Sequence, residues 1–193
     1  LARKKVKHLY IGIESGLDDV LKFMKKDHDL AQAYQAIDRL HEAGLIYDAH
    51  IMTGVAGKGR GMENAEALAQ FLNRTNPAQV VNLSTFLHKE VPVYQDIRQG
   101  TFDPPDELET IREEYHLIER IAPEKAGANI LYDGFHDFIH VRVRGHLPGD
   151  KEKMLAKLNG IIQEYEGKEP VYSFVQGECP DLEYCDDGKA VWD

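Results

Sequence analysis

The strongest constraint on the fold is an alternation of short apolar runs with amphipathic segments over the first 86 residues. The apolar runs are rich in β-branched and aromatic residues, as buried strands are, and they cover 6–13, 45–53 and 78–86. Segments with apolar residues at helical spacing lie after them, at about 17–26, from Asp29 to Gly44, and at about 62–74. Short strand–helix–strand connections predict right-handed crossovers and a parallel sheet.

Three strand–helix units are too few to close a barrel of eight or even six strands. The predicted fold class is therefore α/β, a parallel sheet whose open strand edge needs missing partners or a second copy of the chain, so we expect self-association. Beyond it, amphipathic helices at 105–121 and 149–165 flank one or two short strands within 127–143. These patterns divide the chain into a parallel α/β region over 1–104 and an α+β C-terminal region with a polar tail over 105–193.

Charge and hydropathy exclude several classes of protein. The formal net charge is −10, from 23 Lys and Arg against 33 Asp and Glu, which argues against nucleic-acid binding driven mainly by electrostatics. No apolar run approaches the ~18 residues that a membrane-spanning helix needs, and no signal peptide is visible. We therefore expect a cytoplasmic protein without a membrane partner. Because Leu1 rather than Met opens the chain, we also expect a piece of a longer protein.

Polar side chains follow each predicted strand at its carboxyl end, where α/β proteins collect their ligands. The three sets are Glu14 and Ser15; His50, Thr53 and a glycine-rich loop; and Asn82, Ser84 and Thr85. A convergent set of this kind suits a small polar ligand that carries hydroxyl, amine or carboxylate groups. The alternative is that Glu14 and Ser15 only cap the helix that follows them.

The glycine-rich loop runs from Gly54 to Gly61 with the pattern GxxGxGxG. Glycines let backbone N–H groups approach a ligand, and the N-terminus of the following helix favours anions. The loop is not a P-loop, because GxxxxGK[ST] is absent. Two hypotheses remain, a simple turn and a loop beside a bound ligand.

A pair of histidines raises the question of a metal. His136 and His140 are four residues apart, a spacing at which two histidines can bind zinc on a helix. The residues after them alternate as in a strand, however, and no HExxH is present. A zinc-dependent hydrolase remains an alternative, but the sequence favours surface or substrate-facing histidines and assigns no metal ligand.

Two further pairs carry less information. Cys179 and Cys185 are too few for a four-thiolate zinc site or for an Fe–S cluster held within this chain, and we interpret them as reduced thiols. Arg142 and Arg144 share one face of a predicted strand. Paired guanidinium groups can bind a carboxylate, whereas charges on an edge strand also prevent its pairing with another chain.

One segment resembles a known family. Gly12-Ile13-Glu14-Ser15, followed by Asp19-Val20-Leu21-Lys22, Met24 and Lys26 through His28, is similar to a mid-barrel strand and short helix of the radical S-adenosylmethionine (SAM) superfamily. The resemblance is to the branch related to oxygen-independent coproporphyrinogen III oxidase and the tRNA-modifying methylthiotransferases, which are Fe–S oxidoreductases. Weaker similarity extends over about residues 6–160.

The resemblance implies a full or partial (βα) barrel, a [4Fe–4S] cluster held by a CxxxCxxC loop, and cleavage of SAM to a 5′-deoxyadenosyl radical that abstracts hydrogen from a substrate. It also implies that residues 1–104 are the C-terminal half of a partial (βα) barrel. It places Glu14 and Ser15 against the methionine or ribose part of SAM, and Lys26 near the SAM carboxylate. His50 occupies the position where relatives often carry an acidic residue near the ribose, and Gly54 matches the glycine that follows the same strand in the family. Met52 and Phe86 would flank the adenine.

The chain departs from the family pattern in one decisive respect, because it contains no CxxxCxxC. We interpret it as the C-terminal portion of a radical SAM enzyme, inactive alone, with SAM and the [4Fe–4S] cluster fully held only in the intact protein. The alternative is a non-catalytic ligand-binding module on a degenerate half-barrel. The sequence names a small-molecule cofactor as partner and leaves the substrate unidentified.

Overall fold

The computed structural model describes residues 5–175, which form five strands and six helices. The strands are β1 (His8–Glu14), β2 (Ile46–Thr53), β3 (Gln79–Ser84), β4 (Ile130–His136) and β5 (Val141–Leu147). The helices are α1 (Asp18–Phe23), α2 (Leu30–Glu42), α3 (Gly61–Thr75), α4 (Pro92–Arg98), α5 (Glu107–Arg120) and α6 (Lys151–Tyr165).

The strands form one sheet in the order β1-β2-β3-β4-β5. The first four are parallel to one another, and β5 returns antiparallel beside β4. The predicted α/β class is confirmed, and a mostly parallel five-stranded sheet is consistent with a partial barrel. The division at residue 104 stays a prediction, although the sheet itself continues past that point because β4 pairs with β3.

The helix ends follow the local sequence. Asp29 was the predicted N-cap of α2, and the structure confirms it with a capping box in which the Asp29 side chain accepts from the backbone N–H of Gln32. Asp106 caps α5 in the same way by accepting from the N–H of Glu109. Asn76 ends α3 in the left-handed conformation that asparagine tolerates.

The two faces of the sheet differ because side chains alternate along each strand. On β2, Tyr47, Ala49 and Ile51 are fully buried against the helices, and we call this side of the sheet the covered face. Burial of each large apolar side chain there stabilises the fold by roughly 1.5–3 kcal/mol. On the other side, the open face, Tyr10 is 67% exposed and Leu83 is 43% exposed. The helices therefore cover one side of the sheet and leave the other side accessible.

Among the described residues, no helix has the length and apolar character that crossing a bilayer requires.

Candidate functional site

The candidate site begins where β1 ends. Glu14 has φ 65°, a left-handed conformation that non-glycine residues rarely adopt, and the β1–β2 register shifts between Gly12 and Glu14. The bulge turns the Glu14 side chain back over Gly12, where a Cβ atom would collide with Oε1 of Glu14. Because glycine has no side chain, position 12 leaves the space that the Glu14 carboxylate occupies.

Lys26, which follows α1, meets that carboxylate. Its Nζ donates to Oε1 of Glu14 at 2.7 Å. The side chains are only partly covered, with 16% of Glu14 and 31% of Lys26 exposed. An ion pair at this depth leaves both charges within reach of a ligand that carries the opposite ones.

The next strands bring the other predicted residues alongside. His50 lies opposite Gly12 in the β1–β2 register, and its ring packs 5.6 Å from that of Tyr10. Met52, two residues further along the same open face, packs against an apolar cluster formed by Val20, Val55 and Ala56. Phe86, just beyond β3, is 54% exposed. Glu14, Lys26, His50, Met52 and Phe86 therefore all belong to the open face or its carboxyl edge.

Ser15 and Gly54 are held from the covered side instead. Ser15 is fully buried, its Oγ donates to Oδ1 of Asn64 at 2.6 Å, and that Oγ also accepts from the N–H of Leu17. The N–H of Gly54 donates to Oε2 of Glu113 at 2.8 Å. Both residues sit at strand ends as predicted, but their polar groups are already engaged by the protein.

Asn64 and Glu113 connect these two strand ends. The Asn64 side chain donates to Oε1 of Glu113 at 2.7 Å and also accepts from the N–H of Gly16. We call the four residues Ser15, Asn64, Glu113 and Gly54 the strand-end relay. Burial raises the pKa of Glu113 to about 7, against the hydrogen bonds from Gly54 and Asn64, which lower it.

A second buried network also involves α5, through Glu107 and Glu114. Nδ1 of His136 is 3.0 Å from Oε2 of Glu107, and Nε2 is 3.0 Å from Oε2 of Glu114. All three side chains are almost completely buried. Burial alone would lower the pKa of His136, but the hydrogen bonds to the two carboxylates outweigh it and raise the pKa to about 10. The ring is therefore an imidazolium between two acids, a carboxylate–imidazolium triad.

The triad ties distant segments together. The remaining oxygen of Glu114 accepts from Tyr132 at 2.9 Å and from Asn82 at 3.1 Å. Glu107 accepts a short hydrogen bond from the hydroxyl of Ser173, which lies in the last described stretch of chain. Strands β3 and β4, helix α5 and the segment around Ser173 thus meet at one charged centre.

The placement of His136 corrects the sequence interpretation. Surface or substrate exposure was expected for it, but the side chain is buried, because β4 presents it to α5 rather than to solvent. His140 ends a 3-10 turn at Asp137–Ile139 in a left-handed conformation. Residues 5–175 contain no group of three or more His, Cys, Asp or Glu side chains placed to hold a metal ion.

The glycine-rich loop is anchored by its own backbone. The N–H of Lys58 donates to the carbonyl of Asp103 at 2.9 Å, and the N–H of Gly59 to Glu109 at 2.5 Å. Beside the loop, Phe23 stacks on Phe102 at 5.4 Å and forms one wall of a pocket of about 340 Å³. The loop is therefore an ordered wall of a pocket, which neither of its two hypotheses had specified.

Arg142 and Arg144 bind a carboxylate of their own chain. Nε and Nη2 of Arg142 each lie 2.8 Å from Asp133, and Nε of Arg144 lies 3.7 Å from the same group. The cysteines at 179 and 185 lie outside the described residues.

Sequence reasoning missed Asn64, Glu113 and the triad. A signal for Glu114 was present, because it falls between Ile111 and Leu117 on the apolar stripe of α5. A charged residue on such a stripe must find a buried partner. The identity of that partner depended on how α5 docks, which the spacing along the helix does not contain.

The chain is similar to known proteins in three comparisons. A family model described as the radical SAM superfamily matches residues 1–72. A tRNA-2-methylthio-N(6)-dimethylallyladenosine synthase from Myxococcus xanthus (strain DK1622) is 25% identical over 175 residues, which are 87% of this chain and 36% of that protein. The structure of Methanocaldococcus infernus Elp3 with an N-terminal deletion superposes with a TM-score of 0.59 at 17% identity, over 82% of this chain and 36% of that one. The chain thus spans little more than a third of either relative.

Proposed function

We propose, from the premise that the chain is a radical SAM superfamily protein, that it supplies the SAM-binding sheet edge of a radical SAM enzyme. The observation that carries the proposal is the Glu14–Lys26 ion pair at the end of β1, held over Gly12 by the bulge. A partly exposed anion beside a partly exposed cation matches the α-ammonium and α-carboxylate of an amino acid.

The residues present fit SAM. Glu14 would accept from its ammonium group and Lys26 would donate to its carboxylate, each exchanging one ion-pair partner for another. His50 lies next to Gly12 in the register, within the same row of the open face, and would approach the ribose hydroxyls. Met52 and Phe86 offer apolar surface for the adenine ring.

Ser15 and Gly54 act indirectly in this proposal. Their side-chain and backbone groups already bind Asn64 and Glu113, so they would position the strand ends rather than touch the ligand through those groups. Glu113 in turn braces Gly54 from α5. The strand-end relay thereby holds the backbone at the end of β1, next to Glu14.

The residues of this chain do not supply the cysteine ligands that a [4Fe–4S] cluster requires. The sequence has two cysteines and no CxxxCxxC, so the proposal assigns cluster ligation to cysteines outside these 193 residues. In this superfamily the cluster and SAM together provide a 5′-deoxyadenosyl radical that abstracts hydrogen. The residues of this chain would bind and orient SAM and would line the space for a substrate. The cytoplasmic location stays a prediction.

A non-catalytic ligand-binding module is the second candidate, because the Glu14–Lys26 ion pair can bind an amino acid without a cluster. The two functions share the binding edge and differ in turnover. Only the enzyme would release 5′-deoxyadenosine from SAM under reducing, anaerobic conditions.

The test is SAM affinity of the full-length protein by isothermal titration calorimetry. Glu14→Gln and Lys26→Gln should each weaken binding by about tenfold, the loss of one charge-assisted hydrogen bond of about 1.4 kcal/mol. Glu42→Gln, an exposed carboxylate at the end of α2 and before the amino end of β2, is the matched control and should change nothing. Unchanged SAM affinity with a lowered melting temperature would make the ion pair purely structural and would refute the proposal.

A further inference from the structure

The chain carries a concentrated positive charge far along the sheet from Glu14. Four cationic side chains line one pocket of about 460 Å³ between β5 and α6, namely those of Arg142, Arg144, Lys153 and Lys157. Val143 and Met154, 1% and 2% exposed, complete its lining. In a chain with a formal net charge of −10, this clustering is the reverse of the average charge.

Two of the four cations are held in place before any ligand arrives. Arg142 is clamped by both oxygens of Asp133, and its guanidinium also lies 4.8 Å over the ring of Phe135. Lys157 donates to the backbone carbonyl of Arg142 at 2.6 Å. Fixing these long side chains in advance reduces the conformational entropy lost when a ligand binds.

The acidic groups nearby do not neutralise the pocket. Asp133, which is not among the residues that line the pocket, is shared between Arg142 and Arg144. A carbonyl, which carries no net charge, is the acceptor of Lys157. The residues that line the pocket are four cations, Val143 and Met154, so its lining carries an excess of positive charge.

Arginine guanidinium groups and lysine ammonium groups around one opening are an arrangement that binds phosphate oxygens. Half of each arginine side chain is exposed, 51% for Arg142 and 52% for Arg144, so their outward N–H groups remain available. Lys153 is exposed on the adjacent turn of α6.

We propose that the β5–α6 pocket binds the phosphate groups of a polyphosphorylated ligand, either a free polyphosphate or the backbone of a single-stranded RNA. The site is separate from the proposed SAM edge, because β5 and β1 are at opposite margins of the sheet. It also qualifies the expectation drawn from net charge, since a local patch binds phosphate regardless of the average charge of the protein.

A competing explanation is that the cations only guard the outer edge of β5 against pairing with another chain. The two explanations predict different consequences for charge removal. Loss of an edge guard increases self-association and leaves phosphate affinity unchanged, whereas loss of a phosphate site lowers affinity and leaves the molar mass unchanged.

The experiment measures binding of fluorescein-labelled 12-nucleotide oligouridylate to the full-length protein by anisotropy, with inorganic tripolyphosphate as competitor. The double variant Lys153→Gln/Lys157→Gln should bind at least tenfold more weakly than the unmodified protein. The slope of log affinity against log salt should fall by about 1.4, from two contacts at about 0.7 each for a single strand. Competition by tripolyphosphate indicates that free phosphate suffices, and its failure indicates that a polymer is needed.

The matched control removes the same two charges elsewhere, as Arg39→Gln/Lys168→Gln on exposed helical and loop positions. It should bind as the unmodified protein does. Equal losses in both double variants, equal displacement by poly-glutamate, or the absence at 50 mM salt of both oligouridylate binding and tripolyphosphate binding by isothermal titration calorimetry would each overturn the proposal. Circular dichroism and light scattering of both variants establish that neither unfolding nor association accounts for the result.

Discussion

The two faces of the sheet use polar residues in opposite ways. On the covered face, Glu107, Glu114 and His136 are at most 1% exposed and each carboxylate has a defined donor. On the open face, Glu14 and Lys26 are paired but still partly exposed. Complete satisfaction marks the first set as structural, because no group remains for a ligand, whereas partial exposure leaves the second set free to exchange partners.

The largest expected effect falls on the covered face. His136→Ala leaves two buried carboxylates facing each other without a cation, and the free energy of unfolding should fall by about 3–5 kcal/mol. His146→Ala, at an exposed position on β5, is the control and should stay within about 0.5 kcal/mol. Urea denaturation followed by circular dichroism measures both. A small loss in the first variant would mean that the triad is not an ion pair.

The charge on buried His136 should also affect the pH dependence of stability. The pKa of His136 is raised from 6.5 to about 10 in the folded protein, so the native state holds a proton that the unfolded state releases. The free energy of unfolding should therefore be highest below pH 6.5 and fall as the pH rises toward 10, by up to about 1.4 kcal/mol per unit. His136→Ala should remove this part of the slope between pH 7 and 10. Parallel slopes in the two proteins would contradict the assignment.

A smaller effect should appear on the open face. Gly12→Ala forces the Glu14 carboxylate off its present position, and we expect a loss of stability of about 1–3 kcal/mol together with weaker SAM binding. Gly160→Ala adds the same methyl group in open space within α6 and should stabilise the protein by up to about 1 kcal/mol. Calorimetric melting and SAM titration distinguish the two. Unchanged SAM affinity in Gly12→Ala would argue that the bulge does not shape the site.

The smallest effect concerns the sheet margin. β1 pairs only with β2 among the described strands, so its other edge offers unpaired backbone groups. We expect this chain to self-associate at about 100 µM by multi-angle light scattering, with the monomer recovered on dilution. A monomer at that concentration would show that the edge is protected.

Much of the fold was predictable because its strands and helices depend on local sequence patterns. The first three strands and the helices between them follow apolar runs and caps such as Asp29, and the observed bounds differ from the predicted ones by a few residues. The continuation of the sheet into β4 was not predictable in the same way. The 45 residues between β3 and β4 contain two helices, and only packing decides that β4 returns to pair beside β3.

The candidate site divides along the same line. Glu14, Lys26 and His50 were found because they follow strands or belong to a recognisable segment. The bracing residues Asn64 and Glu113 were not, since each is an ordinary polar residue on an amphipathic helix until α3 and α5 dock together. The expectation that His136 is exposed was wrong for the same reason. Alternation shows which residues of a strand share a face, but it does not show which face the helices will cover.

The sequence by itself determined the strand–helix order, the absence of a CxxxCxxC loop, and the segment from Gly12 to His28 that carries the family resemblance. All three are properties of neighbouring residues along one stretch of chain. Tertiary structure alone decided which carboxylates became buried ion pairs, that Glu14 folds over Gly12 to meet Lys26, and that four cations converge between β5 and α6. These depend on long-range packing, where burial and the distance between charges, rather than residue type, set the energy of each contact.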